Sequence, residues 1–130
     1  MKTLIAEDDV SCYVLLKKLL SPYGECAVAV NGKEAFAAFK EAHRELKPFD
    51  LICLDIMMPG MDGQEVLQEV RKWEGRKKIL GSDGVKVIMT TALGDARNIM
   101  KSFREQCEAY IVKPIDKNKL LNEIKSLGLL

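Results

Sequence analysis

Residues 51–63 read LICLDIMMPGMDG. Leu51-Ile52-Cys53-Leu54 is an unbroken apolar run of strand length, the pattern of a strand covered on both faces, and it ends in a carboxylate, Asp55. A Pro/Gly/Asp-rich turn follows, after which Gln64-Glu65-Val66-Leu67 opens an amphipathic helix. A buried strand thus delivers one acid to its carboxyl end, the edge beyond which open α/β sheets collect their ligands. Aspartate also caps helices and closes turns, so Asp55 alone does not define a site.

Working outward, the same unit recurs. Thr3 to Ala6 reads as a first strand running into Glu7-Asp8-Asp9, and Val14, Leu15, Leu16, Leu19 and Leu20 stripe a helix from about Val10 to Leu20, closed by Ser21-Pro22 and Gly24. Glu25 to Val30 is a second strand, followed by an Asn31-Gly32 turn and a helix carrying Ala35, Phe36, Phe39 and Ala42. The third helix bears Val66, Leu67, Val70 and Trp73 and decays at Gly75-Arg76-Lys77-Lys78, with Gly81 to Gly84 as a loop. Val85 to Met89 is a fourth strand presenting Thr90 and Thr91. Gly94-Asp95 introduces a helix with Ile99, Met100 and Phe103, Ala109 to Val112 is a fifth strand ending at Lys113-Pro114, and Lys117 to Leu127 is the last helix.

Short buried strands alternating with helices require parallel pairing and right-handed crossovers, so the expected fold is a three-layer (βα)5 α/β sandwich occupying residues 1–130 as one domain. Parallel strands put all their carboxyl ends on one edge. Asp8-Asp9, Asp55, Thr91 and Lys113 follow strands one, three, four and five, and become neighbours there. Carboxylates crowded in this way repel one another unless a hard divalent cation compensates them, and an oxygen-only donor set favours magnesium.

Composition narrows the remaining choices. A net charge of +1, from 20 basic and 19 acidic residues, gives no general attraction to nucleic acid or to a membrane surface. The Lys72/Arg76/Lys77/Lys78 cluster reads as a solvated connection. No leader or spanning segment is visible, so a cytoplasmic protein is expected. Cys12, Cys26, Cys53 and Cys107 are widely spaced and read as small apolar residues. His43, in a charged helix segment, reads as solvated.

The acidic pair after the first strand, DIMMPGMDG, Thr91-Ala92 and Lys113-Pro114, in that order over nearly the whole chain, resemble the receiver domains of two-component response regulators. The resemblance implies a flavodoxin-like sheet of order 2-1-3-4-5 and phosphoryl transfer from a histidine kinase or histidine phosphotransfer protein onto Asp55. It implies Mg2+ held directly by Asp9, Asp55 and the Met57 carbonyl, with Asp8 acting through water. It also makes Lys113 the charge facing the carboxylate and then the phosphoryl group, with a cis bond to Pro114. Thr91 becomes the hydroxyl donor, Ala92 the residue that keeps the approach open, and Tyr110 an aromatic switch whose ring turns inward when Thr91 moves. Output is expected through helix four, strand five and helix five, docking on a target protein as a monomer or weak homodimer, with a separate phosphatase as a further partner. The chain ends just after helix five, so a stand-alone receiver of the chemotaxis or phosphorelay kind is expected. Met57 and Leu93, two residues beyond Asp55 and Thr91, are apolar and cannot orient an attacking water, so slow loss of the phosphoryl group is expected.

Three other functions compete. A phosphohydrolase with an aspartyl intermediate commonly needs a second acid two residues after the nucleophile, where this chain has Met57. A dinucleotide enzyme needs a glycine-rich loop after the first strand, where this chain has acids. A receiver-like scaffold that needs no phosphorylation would not require a complete set of site residues.

Overall fold

Alternation along each short strand decides which helices cover which side of the sheet. The computed structural model describes residues 1–92 and 96–130. Among these, β1 (Thr3–Ala6), β2 (Cys26–Ala29), β3 (Leu51–Asp55), β4 (Lys86–Thr91) and β5 (Ala109–Val112) pair in parallel in the order β2-β1-β3-β4-β5. They alternate with α1 (Val10–Leu20), α2 (Gly32–Arg44), α3 (Gly63–Arg76), α4 (Ala96–Arg104) and α5 (Lys117–Ser126). The expected flavodoxin-like sandwich is the fold observed.

Odd and even positions of the strands face opposite layers. Leu4, Ala6, Ile52, Leu54, Val87 and Met89 pack with Ala35, Phe39, Val66, Leu67 and Val70 of α2 and α3. Ile5, Leu51, Cys53, Ile88 and Ile111 pack on the other side with Leu16 and Leu20 of α1 and Leu120 and Ile124 of α5. Each fully buried large side chain of this kind contributes about 1.5–3 kcal/mol. The helices that start at the carboxyl edge are capped there: Asn31 Oδ1 accepts from Glu34 N at 2.8 Å, and Asp116 Oδ1 accepts from Lys119 N at 3.0 Å. Asp62 and Glu65 close a reciprocal capping box at the start of α3.

Several boundaries differ from the sequence reading. α3 continues through Gly75 to Arg76, and β4 starts at Lys86 and includes both threonines. Gly94-Asp95, expected to open the fourth helix, lies outside the described residues. All four cysteines are free. His43, expected to be solvated, is partly buried. Its ring lies 4.7 Å from Trp73 and 5.0 Å, edge-on, from Phe39, and loss of hydration there lowers its pKa.

The long connection from α3 to β4 is held by a buried ionic cluster that periodicity does not reveal. Arg71 Nη1 donates to Glu74 Oε1 and to Val85 O, both at 2.8 Å, while Nε and Nη2 donate to Gln106 O at 3.0 and 2.8 Å. Nη2 also meets both Glu108 carboxylate oxygens at 3.1 Å. The two acids are used in turn by the sheet edge: Val85 N donates to Glu74 Oε2 at 2.8 Å and Val87 N to Glu108 Oε2 at 2.6 Å. Removing the guanidinium strands two carboxylates and two carbonyls. Arg71→Ala is therefore expected to lower unfolding stability by about 3 kcal/mol, with Arg71→Lys recovering only part of it because a point charge cannot replace the planar fork. Urea unfolding of the three proteins measures this.

Candidate functional site

Parallel register brings the candidate residues to one edge, and side-chain alternation then selects among them. Ala6 pairs with Leu54, so Glu7 stands level with Asp55; Asp55 pairs with Thr90, and Thr91 with Val112. Glu7, Asp55 and Lys113 share the parity of Ile5, Cys53 and Ile111, and project on the α1/α5 side of the sheet. Glu7 is 1% exposed and Asp55 4% exposed. Lys113 Nζ lies 2.5 Å from Glu7 Oε1 and 3.3 Å from Asp55 Oδ2. The Lys113-Pro114 peptide is cis, and Lys113 N donates to Thr91 O at 2.7 Å, tying the lysine backbone to the end of β4.

The acid cluster differs from the expected one by one residue. Carboxylate oxygens of Glu7, Asp8 and Asp55 lie within 4.8 Å of one another, with Asp8 on the exposed side. Asp9 is not in this group. Its Oδ1 accepts from Ser11 Oγ at 2.7 Å, Ser11 N at 2.9 Å and Cys12 N at 3.4 Å, so it caps α1 and its pKa falls through the bond to the Ser11 hydroxyl. Sequence reasoning assigned the acids after β1 as a pair and missed Glu7. Strand register held the missing signal: Glu7 N still donates to Ala29 O at 3.0 Å, extending the ladder one residue past the end of β1.

This donor set fits a hard cation. It contains only oxygen, and Glu7 Oε1 is buried with an ion pair to Lys113 but no directed hydrogen bond. Three acids facing one ammonium also leave excess negative charge. Met57 N donates to Asp55 Oδ1 at 3.3 Å, orienting the carboxylate, while the Met57 side chain is 67% exposed. Thr91 is buried, its hydroxyl donating to Ala92 O at 3.4 Å, and Ala92 is exposed beside it. Leu93 lies outside the described residues. Tyr110 is half-exposed on β5, meeting Phe103 of α4 edge-on at 5.9 Å, away from the acid pocket. Gly63 closes the floor: a Cβ there would stand 2.1 Å from Asp55 O, so only glycine lets the first turn of α3 approach the acid's own backbone.

A buried acid pocket with one lysine, at the carboxyl edge of a 2-1-3-4-5 sheet, defines a class. The chain belongs to the response regulator receiver domain family, whose description matches residues 3–125. Domains of this family are the phosphorylation-activated switches of two-component signalling, and they interact with histidine kinases or phosphotransfer proteins. The chain is 34% identical to a probable transcriptional regulator, ycf27, of Cyanophora paradoxa over 97% of its own length and 47% of that protein. It is 35% identical to the transcriptional regulatory protein ResD of Bacillus subtilis, again over 97% of its length and 47% of that protein. The chain thus spans about half the length of these curated relatives. Among solved structures, the CheX–CheY–BeF3–Mg complex from Borrelia burgdorferi matches with TM-score 0.82 and 27% identity, over 98% of this chain and 89% of that one. No helix among the described residues is long and apolar enough to cross a membrane.

Charge balance in the pocket shapes its response to pH. Desolvation, then the Glu7 carboxylate beside it, pushes Asp55 up to about 7. Burial opposes ionisation of Glu7 as well, but bonds from Asp55 and Lys113 overcome it and hold Glu7 at about 2. Between roughly pH 4 and 7 the folded, metal-free protein keeps a proton on Asp55 that the unfolded chain has released, so stability falls as pH rises. Glu7 acts with the opposite sign: its stabilisation is present above about pH 4.5 and is lost as pH falls through about 2. Asp55→Asn is expected to remove the upper slope, leaving the variant more stable than wild type by about 1–3 kcal/mol at pH 8 and nearly equal to it at pH 4.5. Urea unfolding in EDTA across this range tests the sign.

Proposed function

We propose that Asp55 is the phosphoacceptor, that Glu7, Asp8, Lys113 and Thr91 serve the transfer, and that the phosphoryl group is read out on the face formed by α4, β5 and α5. The observation that carries this reading is the Asp55 carboxylate, buried at the sheet edge with a lysine ammonium at 3.3 Å and two further acids beside it. Such a carboxylate is oriented as a nucleophile. In the transfer one Asp55 oxygen bonds to phosphorus as the bond from phosphorus to the donor imidazole nitrogen breaks, and the freed imidazole keeps its electron pair. Lys113 balances charge that passes from carboxylate to phosphoryl oxygens. Thr91 supplies its hydroxyl to one of those oxygens, and exposed Ala92 leaves the approach clear.

Magnesium, held by Glu7, Asp8, Asp55 and the Met57 carbonyl, would supply the positive charge that the three acids and the incoming phosphoryl oxygens require. Glu7 takes the place in this set that Asp9, committed to the helix cap, leaves open. The Borrelia CheX–CheY–BeF3–Mg complex supports the same pairing of ligands for this chain.

Thr91 and Tyr110 connect pocket and output face: Thr91 ends β4, and Tyr110 sits on the adjoining β5 against Phe103 of α4. Inward rotation of the Tyr110 ring would open space against α4 and change that face, a shift between two existing states. A histidine kinase or phosphotransfer protein is the donor, a target protein docks on α4, β5 and α5 as monomer or weak homodimer, and a phosphatase ends the signal in the cytoplasm.

Incubation with acetyl phosphate and magnesium is expected to add one acid-stable, base-labile phosphoryl group, visible in the intact mass and absent from Asp55→Asn. Equal labelling of the variant would place the phosphoryl group on another residue and overturn the assignment, and no labelling of the wild type would favour the phosphorylation-independent scaffold. Met57, apolar and exposed at the mouth, holds no water for hydrolysis. The double variant Met57→Asn/Leu93→Glu is expected to lose its phosphoryl group about tenfold faster, about 1.4 kcal/mol in barrier, when decay is followed after removal of the donor at fixed magnesium and pH.

A further inference from the structure

The helix pair on the far layer carries a second feature that phosphoryl transfer does not use. α2 and α3 start at the phosphorylation edge and end at the opposite edge of the sheet, and between their later turns lies a cleft of about 770 Å³. Ala37 gives it depth, His43 and Trp73 form an aromatic wall, and Lys40, Arg44 and Lys77 stand around it. Phe39 braces the wall from the core, its ring edge-on to both His43 and Trp73 at 5.0 and 5.3 Å.

Two of the cations are stored on rings. Lys40 Nζ stands 4.4 Å from the Phe36 centroid and Lys77 Nζ 5.6 Å from that of Trp73. Among the described residues neither ammonium meets a carboxylate within ion-pair distance, whereas Arg44 is paired with Glu41 and Lys72 with Glu69. Just past the ends of α2 and α3, on the side away from Asp55, Leu46 and Leu80 are 88% and 68% exposed. Exposed apolar side chains therefore stand at that end of the helix pair as well.

We propose that the α2/α3 cleft docks an acidic peptide segment of a partner protein carrying an aromatic or aliphatic anchor. The anchor would sit over Ala37 against Trp73 and His43, a helix-groove mode of recognition. Flanking carboxylates would take up Lys40 and Lys77, which leave their rings without breaking any ion pair. Aromatic and arginine side chains in one partly buried patch are what the energetic centre of a protein interface contains. An extended polyanion fits less well, because Glu41 interrupts the cations. The cleft lies at the opposite end of α2 and α3 from Asp55, so the segment would be held whether or not the acceptor is modified.

The test uses the whole 130-residue chain. A displayed library of random peptides, roughly fifteen residues long, is selected on the wild type, and the enriched peptide is synthesised and titrated by the fluorescence of Trp73, the single tryptophan. Enrichment of Asp and Glu around a Leu or Phe is expected. Affinity is expected to fall about tenfold or more in Lys40→Glu/Lys77→Glu and, by filling the groove without changing charge, in Ala37→Phe. Asp55→Asn should bind as wild type does, which separates this outcome from failure of the phosphoacceptor assignment. Circular dichroism and acetyl phosphate labelling verify that the cleft variants are folded. A pool without acidic enrichment, equal binding by both cleft variants, or tighter binding of an oligothymidylate than of the selected peptide would overturn the proposal.

Discussion

The ammonium of Lys113 against two buried carboxylates is the contact on which the site depends. An ionised acid as enclosed as Glu7 is costly unless paired, and here a single lysine approaches both Glu7 and Asp55. One positive charge does not satisfy two negative ones. The metal-free pocket responds by retaining a proton on Asp55 over part of the pH range, and the exposed third acid, Asp8, adds to the deficit of positive charge. The imbalance fits the pocket to a divalent cation, which on the proposed reading would supply the positive charge that both the acids and an incoming phosphoryl group require. Activity and stability are opposed here, as is usual where like charges are gathered for chemistry.

Backbone constraints make that contact possible. Parallel pairing brings Glu7, Asp55 and Lys113 to one edge from residues more than a hundred positions apart, and alternation points all three to one side of the sheet. Two close approaches complete it. Lys113 N is tied to Thr91 O, and Gly63 lets α3 begin against the carbonyl of Asp55. The acid is thus fixed by backbone on both flanks, leaving its carboxylate as the part free to change partner.

Much of this was legible in the sequence. The apolar stripe from Val14 to Leu20 marked α1, and the strand ending at Asp55 marked the edge where Thr91 and Lys113 would meet it. Errors fell where a single-residue shift or a tertiary contact decides. Glu7-Asp8-Asp9 offers three acids for different tasks, and composition cannot say where the strand stops; a shift of one position exchanges the pocket for the helix cap. His43 reads as solvated from its charged neighbours because the Trp73 ring beside it comes from α3, a contact between two helices. Arg71 lies on the third helix, where local patterning gives no sign of its partners at Val85, Gln106 and Glu108. Such partners are long-range, and local periodicity carries no record of them.

The Arg71 cluster changes the character of the α3–β4 connection. Because Glu74, Val85, Val87 and Glu108 are locked together, both ends of residues 77–84 are fixed by contacts that the intervening loop does not make. The loop is then a closed tether rather than a structural brace, and doubling its length costs only about 0.6 kcal/mol in chain entropy. Its outer turn, Gly81–Asp83, is the place in this chain where a new segment or a reporter can be grafted with the sheet, the acid pocket and the helix pair left as they are.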